Sequence, residues 1–175
     1  MIHGDIKPQN VLVFKEATGK TTVKVADFGY STLKTSEARS LGIVLPKSRP
    51  WNAPEHHFGE FEVLGAKKTD VYSFGMVCLW VLFGSSLPEI SQTAAKGATG
   101  FVSFDAPPGP RTFLEQLKDD DQVQHIATRL IESQSAWNTE QRIRLQEFFS
   151  LTLPLNPEKR TSDIEKLVGL LSQER

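Results

Sequence analysis

His3-Gly4-Asp5-Ile6-Lys7-Pro8-Gln9-Asn10 runs straight into the apolar stretch Val11 to Phe14. The octet sets a carboxylate, an ammonium and an amide at positions 5, 7 and 10, just ahead of a predicted strand. A second strand is predicted over Thr22 to Ala26, where Val23 and Val25 alternate around Lys24, and it leads into Asp27-Phe28-Gly29. Between them Lys15-Glu16-Ala17-Thr18-Gly19-Lys20 is a polar turn containing Gly, so the pair reads as a β-hairpin. A hairpin lays the beginning of one strand beside the end of the other, so Asn10 and Asp27 converge. One amide oxygen and one carboxylate suit Mg²⁺, which keeps several waters and completes its shell with phosphate oxygens. Lys7 would then neutralise a transferring phosphoryl group while Asp5 accepts or orients the attacking hydroxyl.

Outward from this stretch the chain turns helical. Gly29 to Pro54 shows no sustained periodicity and is broken by Gly42, Pro46, Pro50 and Pro54, which predicts a long functional loop. Thr69 or Asp70 is predicted to cap a helix through Phe83, closed by Gly84-Ser85-Ser86. That helix is apolar on nearly every side, as befits a central helix with neighbours all round. Residues 85–112 read as an irregular connector rich in Pro and Gly. Helices are predicted at Phe113 to Lys118 and from about Gln122 to Ser133, with Asp119-Asp120-Asp121 a solvated turn. Asn138 with Gln141, and Ser162 with Glu165, predict capping boxes. Behind the second, Ile164, Leu167, Val168 and Leu171 mark one face of an amphipathic helix. The fold class expected is α+β and predominantly helical: one small hairpin, a central apolar helix, and five or six helices in all, forming one domain over residues 1–172.

Composition narrows the function classes. The chain has 175 residues, with 20 basic against 21 acidic side chains and a net charge of −1. That balance argues against a nucleic-acid or anionic-membrane binder working through bulk charge. The most apolar stretch, Val71 to Phe83, falls short of the ~20 residues a membrane span needs. Asp5 stands where a secretory signal would need an apolar core. The lone cysteine, Cys78, cannot form an internal disulfide and reads as a buried thiol. Together these point to a soluble, cytoplasmic protein.

The octet and Asp27-Phe28-Gly29, taken with three later elements, resemble the C-terminal lobe of a eukaryotic Ser/Thr protein kinase. Ala53-Pro54-Glu55 is similar to the close of that family's activation segment, here 27–55. Asp70-Val71-Tyr72-Ser73-Phe74-Gly75 is similar to the start of its central helix, here about 70–83. Asn156-Pro157-Glu158-Lys159-Arg160-Thr161 resembles the late element whose Arg pairs with the glutamate. Five elements in this order are far more specific than any one alone.

The resemblance implies ATP and Mg²⁺ as cofactors and a protein Ser or Thr hydroxyl as acceptor, with Lys7-Pro8 favouring Ser/Thr over Tyr. By the same resemblance Asp5 is the catalytic base and Lys7 its partner lysine. Asn10 and Asp27 are the metal ligands, and Leu12 lies under the adenine. His3 and Phe28 form an apolar stack, and Asp70 anchors the catalytic loop through its backbone N–H groups. Ser48 contacts Asp5 and Lys7, while Glu55 and Arg160 form a structural ion pair.

Two departures from the family pattern stand out. Gly4 replaces the Arg that many kinases use to bind a phosphorylated activation loop. Nothing in the chain resembles the Gly-rich phosphate cover, the strand lysine or its partner glutamate, so an N-terminal lobe is expected upstream of Met1 and the chain as given is expected to be weakly active or inactive. Two further readings stay open: a non-catalytic kinase-like interaction module, and a small-molecule phosphotransferase whose loop also begins His-Gly-Asp.

Overall fold

Val, Ile and Phe near the N-terminus give way to longer helical patterns after residue 62, and the architecture follows that division. The computed structural model describes residues 1–32, 42–86, 117–118 and 120–172, with only the backbone of His57 and Phe58. Strands β1 (Val11–Lys15) and β2 (Thr21–Val25) pair antiparallel, in register from Val11↔Val25 to Lys15↔Thr21. This is the predicted hairpin, with the first strand one residue longer at its end and the second shifted by one residue toward the N-terminus. Ile2 and Thr32 exchange both backbone N–H···O bonds at 3.0 Å, which ties the chain before the octet to the chain after Gly29.

Two strands were not predicted. β3 (Ile43–Val44) and β4 (Glu60–Phe61) pair antiparallel, and two residues each are too few for alternation to register. They bracket the stretch from Leu45 to Gly59 and close it into a loop with a 3-10 turn at Pro54–Phe58. Residues 33–41 of the long predicted loop lie outside the described residues.

Helix α1 (Val63–Phe83) begins six or seven residues ahead of the expected cap. Neither Thr69 nor Asp70 caps it: the Thr69 hydroxyl donates back to Ala66 O at 2.7 Å, and the Asp70 carboxylate is engaged across the fold. The added turns, Val63 to Lys68, carry Gly65 and two lysines in place of an apolar stripe, so periodicity could not report them. The remainder of α1 is central as expected. Val71, Tyr72, Met76, Val77, Leu79 and Phe83 are all buried, and each such side chain contributes about 1.5–3 kcal/mol.

Helix α3 (Thr139–Thr152) packs against α1, α2 (Val123–Ser133) and α4 (Ile164–Leu171), and is the hub of the helical layer. Phe148 meets Phe74 edge-on at 5.7 Å between centroids, and Phe149 meets Phe83 at 6.4 Å. The closest approach is at Gly75, where an added Cβ would lie 2.6 Å from Thr152 Oγ1 and 2.8 Å from Thr152 Cβ. Only glycine lets α1 pass that close.

The Asn138 capping box forms in both directions, with Gln141 N–H on Oδ1 at 2.9 Å and Asn138 N–H on Gln141 Oε1 at 3.0 Å. The second predicted box does not form. Asp163, one residue after Ser162, caps α4 by accepting Lys166 N–H at 2.9 Å. Of the predicted helix at Phe113 to Lys118, only Leu117 and Lys118 are described, and both are helical; the connector lies almost wholly outside the described residues. Cys78 is partly buried, and burial pushes its thiol up to about 12. Among the described residues no helix is long and apolar enough to cross a membrane.

Candidate active site

The octet is held from beneath by α1. Asp70 lies in the second half of the helix's first three turns, and its carboxylate accepts two consecutive backbone N–H groups. His3 N–H reaches Oδ2 at 2.7 Å and Gly4 N–H reaches Oδ1 at 2.9 Å. Gly4 itself takes φ +85°, a left-handed conformation that glycine adopts freely. Burial pushes the Asp70 carboxyl above its ordinary range, and the two amides partly offset the rise.

The His3 ring locks the octet to the end of β2. Nε2 lies 3.1 Å from Ala26 O, and Nδ1 lies 3.3 Å from Asp5 N–H. A carbonyl can only accept and an amide N–H can only donate, so the two contacts select the neutral tautomer with its hydrogen on Nε2. The Phe28 ring stacks at 5.2 Å from the His3 ring, tilted by 58°. Phe28 is otherwise half exposed.

Asp5, Lys7, Asn10 and Ser48 form one connected group. Lys7 Nζ donates to Asp5 Oδ2 at 2.7 Å and to Ser48 Oγ at 3.2 Å. Asn10 Nδ2 donates to Asp5 O at 2.8 Å and leans on Asp5 Oδ2 at 3.4 Å. Both partners are acceptors, so the amide nitrogen must face Asp5 and Oδ1 must face the other way. Asp5 is buried, and its second oxygen, Oδ1, has no hydrogen-bond partner among the described residues. A buried carboxylate oxygen without a donor is costly.

Asp27 reaches the same end of the hairpin. Ala26 N–H donates to Asn10 O at 2.8 Å, which sets Asp27 next to Asn10 across the two strands. Asp27 takes φ +62°, which turns its side chain out of line with β2, and Oδ1 accepts Gly29 N–H at 3.3 Å. The exposed Asp27 carboxylate and the Asn10 amide oxygen are hard oxygen donors at one end of the hairpin, the donor type that Mg²⁺ takes together with water and phosphate oxygens. Leu12 stands on β1 opposite Lys24, 44% exposed, and shares no described contact with the octet's polar groups.

Glu55 and Arg160 form a second cluster under the loop 45–59. Arg160 Nη1 meets Glu55 Oε1 at 2.5 Å and Nη2 meets Oε2 at 2.9 Å. Its remaining N–H groups go to Pro154 O, Lys68 O and Leu155 O, so the five donors make five bonds. The guanidinium also lies 4.7 Å over the Tyr72 ring.

Two residues of this region escaped the sequence reading. His56, next to Glu55, is buried, with Nδ1 on Ala53 O at 3.2 Å and Nε2 without a partner among the described residues. Lys118 is 2% exposed and donates to Pro50 O at 3.0 Å and Asn52 O at 2.9 Å. Next to three aspartates it reads as a surface charge, and no local pattern distinguishes it.

Similarity to known proteins bears on what this arrangement is. Residues 1–167 match the family model described as the protein kinase domain. The serine/threonine-protein kinase/endoribonuclease IRE1a of Arabidopsis thaliana is 26% identical over 177 residues, 95% of this chain and 20% of that protein. The serine/threonine-protein kinase pkn2 of Myxococcus xanthus is 33% identical over 66% of this chain, and a light-sensor protein kinase of Ceratodon purpureus is 39% identical over 48%. The chain spans a fifth or less of the length of these three relatives. With a match over 167 of its residues, the chain belongs to the protein kinase domain family.

Proposed function

We propose that residues 1–172 form the catalytic lower lobe of a Ser/Thr protein kinase, which moves the γ-phosphoryl group of ATP to a protein Ser or Thr hydroxyl. The observation that carries this reading is the placement of Lys7 Nζ between Asp5 Oδ2 and Ser48 Oγ, with Asp5 Oδ1 left unpartnered beside it. Asp5 Oδ1 accepts a hydrogen bond from the incoming hydroxyl and fixes its direction of attack. Lys7 carries the positive charge that offsets charge gathering on the transferred group. Asn10 Oδ1 and Asp27 would hold Mg²⁺, which when bound supplies charge neutralisation at the phosphate oxygens. His3, Phe28 and Asp70 keep the octet and Asp27 in register. Acceptor choice for Ser/Thr is supported by Lys7-Pro8 and by the names of the relatives.

The test is transfer of label from γ-labelled ATP with Mg²⁺ to peptide pools bearing Ser, Thr or Tyr alone. Nothing in the 175 residues matches a Gly-rich phosphate cover, so turnover should fall below the ~1–100 s⁻¹ usual for kinases, and long incubations at high chain concentration are needed. Label on Ser and Thr that vanishes in Asp5→Asn supports the proposal. Label confined to Tyr, or label that survives Asp5→Asn, overturns it.

A further inference from the structure

The loop that supplies Ser48 is held from its far side by a buried ammonium. Lys118 Nζ bridges two carbonyl oxygens two residues apart, Pro50 O and Asn52 O. Pro50 has no N–H of its own, so the loop cannot be tied there by a backbone donor. An ammonium with three donors and no acceptor is suited to gather carbonyls that face one way. Asn52 N–H in turn donates to Ser48 O at 3.0 Å, which closes residues 48–52 on themselves. Ser48 Oγ then meets Lys7 Nζ, and Lys7 meets Asp5. A continuous run of contacts thus links a residue 113 positions downstream of Asp5 to the Asp5–Lys7 pair.

A peptide whose hydroxyl meets Asp5 must lead its neighbouring residues past this same loop, because Ser48 borders the pair directly. We propose that Lys118 is a positioning residue for the acceptor: by clamping Pro50 O and Asn52 O it holds the 48–52 loop as one wall of the acceptor site, in register with Lys7 and Asp5. This rests on the phosphotransfer reading above. It assigns Lys118 no part in nucleotide binding.

Two readouts on the whole chain test it. Hydrogen–deuterium exchange in Lys118→Met should rise in the segment 48–53 and stay unchanged in α1. Lys118→Gln, whose shorter side chain keeps amide donors, should give an intermediate rise and serves if Lys118→Met does not fold. In the transfer assay, loss of the clamp should raise the acceptor-peptide KM about tenfold, the factor expected of lost hydrogen bonds to a charged group, with the ATP KM unchanged. Lys118→Arg, which keeps the charge and donors, should recover part of that loss. Exchange at 48–53 equal to wild type overturns the proposal, and so does a local rise in exchange with an unchanged acceptor KM. If the wild-type chain transfers no label, as expected of an inactive fragment, the exchange measurement alone decides whether the clamp orders the loop.

Discussion

Glu55 and Arg160, 105 residues apart in sequence, meet through two parallel N–H···O bonds with the Arg160 side chain fully enclosed. The pair joins the end of the 45–59 loop to the turn ahead of α4, and Arg160 also takes the carbonyl of Lys68 in α1. Three separate stretches therefore depend on one guanidinium.

Removing either partner should be severe, because the other is left charged and enclosed. Glu55→Gln and Arg160→Met are each expected to lower stability by about 3–5 kcal/mol, the usual cost of breaking a buried pair. Arg160→Met should be the worse of the two, since it also strands three carbonyl oxygens. Urea titration followed by circular dichroism measures both. A loss under 1 kcal/mol for Arg160→Met would mean that the pair is a surface contact in solution.

Gly4 shows why restoring the more common arginine should fail. Its backbone takes φ +85°, and an added Cβ would lie 3.0 Å from Leu45 Cδ2 and 3.2 Å from Tyr30 O. Gly4→Ala should lose about 1–2 kcal/mol from the left-handed backbone alone, and Gly4→Arg at least as much. Denaturation midpoints of the two variants check this. A Gly4→Arg chain as stable as wild type would show that the octet can adopt another backbone.

The hairpin, the central helix and the Asn138 cap were legible in the sequence because each depends on residues close together. Alternation around Lys24 and the Asn138–Gln141 spacing carry their own geometry. The start of α1 was not legible from local pattern, since Asp70 looks like a cap but spends its carboxylate on His3 and Gly4, 67 and 66 residues away. β3 and β4 were too short to leave a pattern. Within the site, the polar residues and several of their connections, Ser48 with Lys7 and Glu55 with Arg160, were implied by the family resemblance. That Lys118 lies buried under Pro50 and Asn52 follows from tertiary contacts that no local window contains.

His56 should make stability fall as the solution is acidified. Burial holds its imidazole below the ordinary 6.5, and nearby Lys118 and Arg160 push the same way, against the Ala53 carbonyl and Glu55. The folded chain keeps the ring neutral while the unfolded chain protonates at about 6.5. The unfolded state then binds more protons, so stability is complete above pH 6.5 and is lost as pH falls from there through the lower folded value. Asp70 has the opposite sign: its raised carboxyl pKa favours the folded state as pH falls toward its own, more acidic range. The difference between wild type and His56→Phe, measured by urea titration from pH 7.5 to 5, isolates the imidazole. Wild type should lose stability relative to the variant below pH 6.5, and parallel curves would show that His56 takes its proton as readily folded as unfolded.

Asp5 and Asp27 differ in their surroundings, and the roles proposed for them differ accordingly. Asp5 is buried, bound by Lys7 and Asn10, and has one oxygen without a partner among the described residues. Asp27 is exposed just beyond the end of β2. Asp5→Asn replaces one acceptor oxygen with a donor, so the hydroxyl loses its orienting partner. Label transfer should fall by about 10²–10⁴, the range for removing a general base, while nucleotide affinity holds within a few fold. Asp27→Asn removes a negative oxygen ligand, so transfer should fall and Mg²⁺-dependent ATP affinity should fall with it. Calorimetry with ATP, with and without Mg²⁺, separates the two: the Mg²⁺-dependent part of binding should survive in Asp5→Asn and shrink in Asp27→Asn. Equal effects of the two substitutions on nucleotide binding would show that the carboxylates act as a single unit and would remove the division of labour argued from their burial.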